Sequence, residues 1–225
     1  SSSEENKIDE ESLAEFYEMM ENEYIEDEDE KEKVLKEVRK NPKIFKDLDE
    51  EYRKDPDVVL EVVIMDGLQL EHASEKLKYD KTIVKAAIES NPMALEFASS
   101  KFKNDFNTVM YCVRRCGMTL EFASPNIKRK PEIVYEAVKQ DALSIKYADN
   151  EIFRRKQNKH IVMEAVRNNG KTIKYVPEFK DDREVVLEAV KENGLAIQFA
   201  ETKFFVDADI VLTVLNQKHC RHLIM

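Results

Sequence analysis

The 225-residue chain has no tryptophan, four glycines, six prolines, three cysteines and four histidines. Each scarcity excludes something. Phosphate-cradling loops need clustered glycines, and here each glycine stands alone at one recurring place, so no such loop is expected. Cys112, Cys116 and Cys220 are too few for a disulfide framework and point to an intracellular, reducing compartment, cytoplasm or nucleus. No apolar run approaches the roughly 18 residues of a membrane span. The most apolar stretch, VVLEVVIM at 58–65, is broken by Glu61. The acidic N-terminus lacks a basic-then-apolar leader and does not read as a secretory signal.

Charge is abundant but unevenly spread. Residues 1–32 carry 15 Asp/Glu and two Lys, a net of −13. Taking these from the totals of 46 and 36 leaves 31 Asp/Glu against 34 Lys/Arg, a net of +3 for residues 33–225. The chain is a near-neutral body with an acidic arm.

The arm, residues 1–29, is expected to be partly disordered, with 1–11 lacking structure. Ser12 with Glu15 makes a capping box, and Leu13, Phe16, Tyr17, Met20 and Tyr24 recur at helical spacing. A short helix over 12–25 is expected if that stripe docks on something, because the remaining face is almost all Glu and like charges one turn apart repel. EDEDEKE (26–32) then reads as a solvated spacer.

The body, residues 30–225, repeats itself. With a capping residue as position 0, copies begin at Asp55, Asp80, Asp105, Lys130, Asn158, Asp182 and Asp207, with steps of 25, 25, 25, 28, 24 and 25 residues. Positions 3, 4, 7 and 8 are apolar, as in Ile133, Val134, Ala137 and Val138, which is one stripe of an α-helix. All four glycines (Gly67, Gly117, Gly170, Gly194) hold position 12, usually after Asn or Asp, and are expected to end that helix. A short second helix follows, with Leu or Ile at position 15, an aromatic residue at 17 and Ala at 18. A worn copy from about residue 30 reads as an N-terminal cap. One copy cannot bury enough apolar surface to fold alone, so an all-α solenoid of about seven 25-residue helix-turn-helix units is predicted.

The pattern D-x-x-V-V-x-x-A-V-x-x-N-G-x-x-L-x-aromatic-A resembles the family of domain of unknown function 4116 (DUF4116), over about Asp55–Gln217. The copy at Lys130 departs from it by lacking the acidic cap and by a three-residue insertion in the linker that follows. The resemblance implies a repeat and no activity, so it supplies no catalytic residue.

Nothing in the residues themselves reads as an active site. His72 occupies an aromatic position and is expected to pack, His160 lies in a first helical turn, and Cys112 stands where other copies have Ala. His219, Cys220 and His222 are the one local group of soft ligands, and no fourth ligand lies near, so no metal or other cofactor is expected. The expectation is a non-enzymatic protein–protein interaction scaffold.

Two surfaces are candidates for its partner. The first is a basic edge formed by the loops between copies: Lys101, Lys103, Lys128, Arg129, Lys130 and the insertion's Arg154, Arg155 and Lys156, with Lys76, Lys78, Lys180 and Lys203 in line. It would suit an acidic or amphipathic protein segment, and the acidic arm is one group that would fold onto it. The second is position 5, where Leu60, Met110, Tyr135, Met163, Leu187 and Leu212 either pack between neighbouring first helices or form an apolar groove, Lys85 being the exception. Two further readings are a targeting or regulatory region of a larger enzyme or multiprotein complex and a helical-repeat nucleic-acid binder. For the latter, a body charge of +3 offers little attraction.

Overall fold

The computed structural model describes residues 10–217 and, within the first helix, the side chains of 13–15, 17–19 and 30 onward. In chain order its α-helices are α1 (Glu10–Lys40), α2 (Glu50–Lys54), α3 (Pro56–Met65), α4 (Lys81–Ser90), α5 (Ser100–Lys103), α6 (Phe106–Arg115), α7 (Pro125–Lys128), α8 (Pro131–Gln140), α9 (Lys159–Asn168), α10 (Arg183–Glu192) and α11 (Ala208–Asn216). The described residues form no strand, and no helix among them is long and apolar enough to cross a membrane.

Each repeat opens as its residues dictate. The carboxylate of Asp80 accepts hydrogen bonds from the backbone N–H groups of Thr82 (2.8 Å) and Ile83 (3.0 Å), satisfying two orphan donors of α4. Asp55 and Asp182 do the same for α3 and α10. Lys130 makes no cap bond to α8. Asn158, placed by sequence at a cap, turns inward instead. Its Nδ2 donates to the carbonyl of Ile152 at 2.7 Å, which pins the inserted loop. Positions 3, 4, 7 and 8 then enter one continuous core, with Val58, Val59, Val62 and Val63 fully buried.

The second half of each copy is the short second helix expected. It is a 3-10 helix: Gly67–His72, Pro92–Glu96, Gly117–Phe122, Ala142–Tyr147, Gly170–Tyr175 and Gly194–Phe199. The physical reason lies in the spacing. Positions 12, 15 and 18 are three apart, and a 3-10 helix has three residues per turn, so Gly67, Leu70 and Ala73 share one face. The Asn or Asp at position 11 serves two elements. Asn91 ends α4 with φ −144° and caps the 3-10 helix by accepting from Met93 N–H.

The glycines act differently from expectation. None has a positive φ, so none is a left-handed helix stop. Gly67 is needed for closeness: a Cβ there would lie 2.1 Å from the Ala87 carbonyl oxygen of the next copy, and one at Gly117 would lie 2.2 Å from that of Ala137.

Copies stack in register, 3-10 helix on 3-10 helix throughout and first helix on first helix except between α4 and α6. A backbone rung joins neighbours. Ser74, Ser99, Ser124, Asp149 and Glu201 donate their N–H to the carbonyls of Arg53, Lys78, Lys103, Lys128 and Lys180 at 2.9–3.1 Å. The copy after the insertion has Pro177 at that place, which has no N–H to donate. Ion pairs staple the outer face as well: Lys31 to Asp55 (2.8 Å), Arg39 to Glu61 (3.3 Å), Arg114 to Glu136 (3.3 Å), Arg167 to Glu188 (3.1 Å) and Arg183 to Asp207 (2.7 Å).

The helix α1 is longer than the one expected over 12–25. It runs through the acidic 26–32 stretch, expected to be a spacer, into the first copy. No Gly or Pro interrupts 10–40, and Val34, Leu35 and Val38 dock its C-terminal part on the core. With Lys31 bound to Asp55 and Asp57 at the start of α3, residues 10–30 project beyond the edge where the first helices begin. At 1.5 Å per residue that is about 30 Å. The helix therefore leads the arm away from its own basic edge.

Candidate binding surface

The loops do bring the basic residues to one edge, since Lys78, Lys103, Lys128 and Lys180 supply the carbonyls of the rungs. Much of the charge is neutralised locally. Arg129 pairs with Asp149 at 2.6 Å and Arg154 with Glu151 at 2.7 Å. The ammonium of Lys128 donates to the Glu121 carbonyl at 2.7 Å, and burial pushes its pKa down. Lys101 lies against the ring of Phe102, and Lys103 is half-buried. Lys130, Arg155 and Lys156 are exposed and make no ion pair among the described residues. Cations without a local ion pair among the described residues include Lys130, Arg155 and Lys156 near the insertion and the exposed Lys76 and Lys101 further along the edge.

Position 5 resolves toward packing. Met163 is buried, Met110, Tyr135 and Leu187 are half-buried against the core, and Leu60 is half-buried. Only Leu212, in the last copy, is well exposed, at 58%. Met163 and Leu187 thus pack at the interface between first helices, while Met110 and Tyr135 also line an open hollow.

The opening lies where the row breaks. Between α4 and α6 is a cleft of about 220 Å³, floored by Val84, Ile88 and Phe102 and rimmed by Lys81, Lys85, Glu89, Asn107, Thr108 and Tyr111. Four departures from the repeat converge on it. Lys85 replaces the apolar residue of position 5. Thr108 replaces the Val or Ile of position 3. Glu89 stands at position 9, where Arg39, Arg114, Lys139, Arg167 and Lys191 are cationic, and Tyr111 stands at position 6, where Glu61, Glu136, Glu164 and Glu188 are acidic. Neither half of the position-9 to position-6 staple is present, as is also true of Ile64 and Ala86 at the closed α3–α4 joint, so Lys85 and Thr108 are the departures particular to this opening. Pro92 adds to the separation, because it carries a Cβ where Gly67 and Gly117 allow close approach.

Arg115 holds the joint from behind. Its guanidinium donates to the carbonyls of Ile88 (2.9 Å) and Glu89 (2.8 Å) at the C-terminus of α4 and to Tyr111 Oη (3.2 Å), with the Tyr111 ring beneath it. The cleft therefore has an apolar floor and a mixed rim, where Lys85 pairs with Glu89 at 3.7 Å and Lys81 carries the remaining positive charge. The size of the cleft suits one or two side chains rather than a cofactor. The signal was present in the sequence as the Lys85 exception, but only packing shows that the other three departures face it.

Between Met110 and Tyr135 lies a more open hollow of about 470 Å³, reaching Gln157 of the inserted loop. There the His160 and Tyr135 rings meet at 5.3 Å, and His160 Nδ1 lies 3.0 Å from the Gln157 carbonyl. His72 is half-buried beside Glu71. Cys112 is buried and its thiol is pushed up to about 12 by burial, while Cys116 Sγ lies 3.8 Å from Met93 Sδ. No group of three His, Cys, Asp or Glu able to hold a metal occurs among the described residues. His219, Cys220 and His222 lie outside them.

A row of stacked helical copies is the architecture of a helical-repeat, solenoid-like protein. The family model for Domain of unknown function (DUF4116) matches residues 30–78, 55–103, 80–128, 105–154 and 158–205. The chain belongs to that family. Each match spans about two copies, and the first includes the worn copy at residue 30. No curated protein and no solved structure matches the chain.

Proposed function

We propose that the chain is a non-enzymatic interaction scaffold that holds a segment of a partner protein across the outer face of its first helices, with the α4–α6 cleft as the anchor point. The observation that carries this reading is the convergence of four repeat departures on one apolar, lysine-rimmed opening. Backbone rungs and the Arg115 bonds to α4 hold the sides of that opening in place, which lowers the conformational entropy lost on binding. The neutral, buried Cys112 thiol is a poor nucleophile near neutral pH, in keeping with binding rather than chemistry. Local pairing of Lys128, Arg129 and Arg154 weakens the case for nucleic acid, which needs cations left available for phosphates.

The test is a display selection of random peptides on the intact chain, repeated on Lys85→Leu/Thr108→Ile, which restores the residue types of the other copies. Ligands with an apolar anchor flanked by acidic residues should be enriched on the first and lost on the second. Ligands that bind both proteins equally, or no enrichment at all, would remove the cleft as anchor.

A further inference from the structure

The molecule carries an occupant that fits its own cleft. The arm carries Leu13, Phe16, Tyr17, Met20 and Tyr24 at helical spacing on a strongly acidic background, net −13 over residues 1–32. Its backbone is helical from Glu10. Leu13 and Tyr17 are 37% and 62% exposed, while the side chains of Phe16, Met20 and Tyr24 lie outside those described. The cleft offers the complement: Val84, Ile88 and Phe102 for an apolar side chain, with Lys81 at the rim as its cation, while Lys85 pairs with Glu89 at 3.7 Å.

The arm cannot reach its own cleft. α1 runs parallel to α3, fixed by Lys31 to Asp55 and Arg39 to Glu61, and its free end continues past the edge of the array. The cleft lies two helices further along the array, level with the bodies of α4 and α6. To enter it, the arm would have to break a continuous 31-residue helix. A second molecule has no such constraint.

We propose that the α4–α6 cleft receives the acidic amphipathic arm of a second copy of this chain, helix in groove, with the Leu13–Tyr17 turn at the apolar floor. This deepens the scaffold reading and rests on the same cleft. Because arm and cleft are different surfaces, the contact is heterologous. It either closes as an arm-exchanged dimer or extends head to tail. Opposite charges make it weaken with salt.

The experiment is sedimentation velocity on the intact chain over a range of concentrations at low and high salt. It is repeated on a cleft-filled variant (Lys85→Leu/Thr108→Ile) and an arm variant (Leu13→Asp/Tyr17→Asp), each checked for retained helicity. Self-association at low salt should weaken by about tenfold or more in either variant. Mixing the two should restore a one-to-one complex, since one supplies the arm and the other the cleft. A wild-type chain that stays monomeric throughout would overturn the proposal, as would association that survives both variants. Peptides that still need the open cleft while the arm does not bind would leave the scaffold reading standing and remove this one alone.

Discussion

Two successive joints of the array, α3–α4 and α4–α6, are built on the same template and end differently. At the first, Gly67 lets α4 approach until the Ala87 carbonyl occupies the space of a missing Cβ, and its N–H donates to Ser90 Oγ at 3.2 Å. At the second, Pro92 has a Cβ and no N–H, and the residue matching Ser90 is Arg115, which reaches across to the α4 carbonyls. The first joint is closed by backbone contact and the second is bridged by a side chain over a cleft. Pro42 holds the same place before α3, but that joint carries the Lys31 and Arg39 pairs. The lesson is that an array of near-identical units acquires a site where several small substitutions meet at one joint, with no new element added.

The largest expected effect comes from forcing a closed joint apart. Gly117→Ala places a methyl group 2.2 Å from the Ala137 carbonyl oxygen, and backbone can yield only by moving a whole helix. A loss of about 3 kcal/mol in denaturant-unfolding stability is expected. A loss too small to resolve would show that the close approach is not what requires glycine.

A smaller effect follows from exchanging the characters of two joints. Lys85→Leu/Thr108→Ile should fill the open joint and stabilise the chain by about 1 kcal/mol, since it buries two more apolar side chains. Its mirror image, Met163→Lys at the α9–α10 joint, should cost about 2 kcal/mol, softened by the ability of a lysine to extend its ammonium to water. Unfolding midpoints of the two variants moving in the same direction would break the comparison.

The smallest effect is electrostatic. Arg183 beside Asp207, then the backbone N–H groups there, hold that carboxyl below its usual range. The Glu151 N–H and then Arg129 do the same for Asp149. A carboxyl depressed in the folded state contributes stability that is present above its unfolded value near 4 and is lost as pH falls through the folded one. Amide protection across the Arg183–Asp207 and Arg129–Asp149 joints should therefore fall on acidification to about pH 3. At the α4–α6 joint, the Arg115 bonds go to carbonyls that do not titrate, so protection there should change less. Both pairs are exposed, so high salt should erase much of the difference.

How much was legible varies with the kind of residue. Caps such as Asp80 and the Val-Val pairs announce themselves because helix initiation and apolar stripes are local events read over four to eight residues. The short second helix is legible, but not that it is 3-10, because three-residue spacing belongs to both periods and only hydrogen bonding decides between them. Asn158 looked like a cap and instead holds Ile152, since the insertion gave it a nearer partner. The position-5 row was open to either reading until stacking buried Met163.

By itself the sequence determined the unit, its 25-residue period, its core positions and the split between acidic arm and near-neutral body. All of these follow from propensity and pattern along a single copy. Only the tertiary structure decided that glycine serves contact between copies, that the arm is carried outward on one long helix, and that the cleft sits between α4 and α6. Those depend on atoms some 20 or more residues apart being pressed together, and no local rule states which of them will meet.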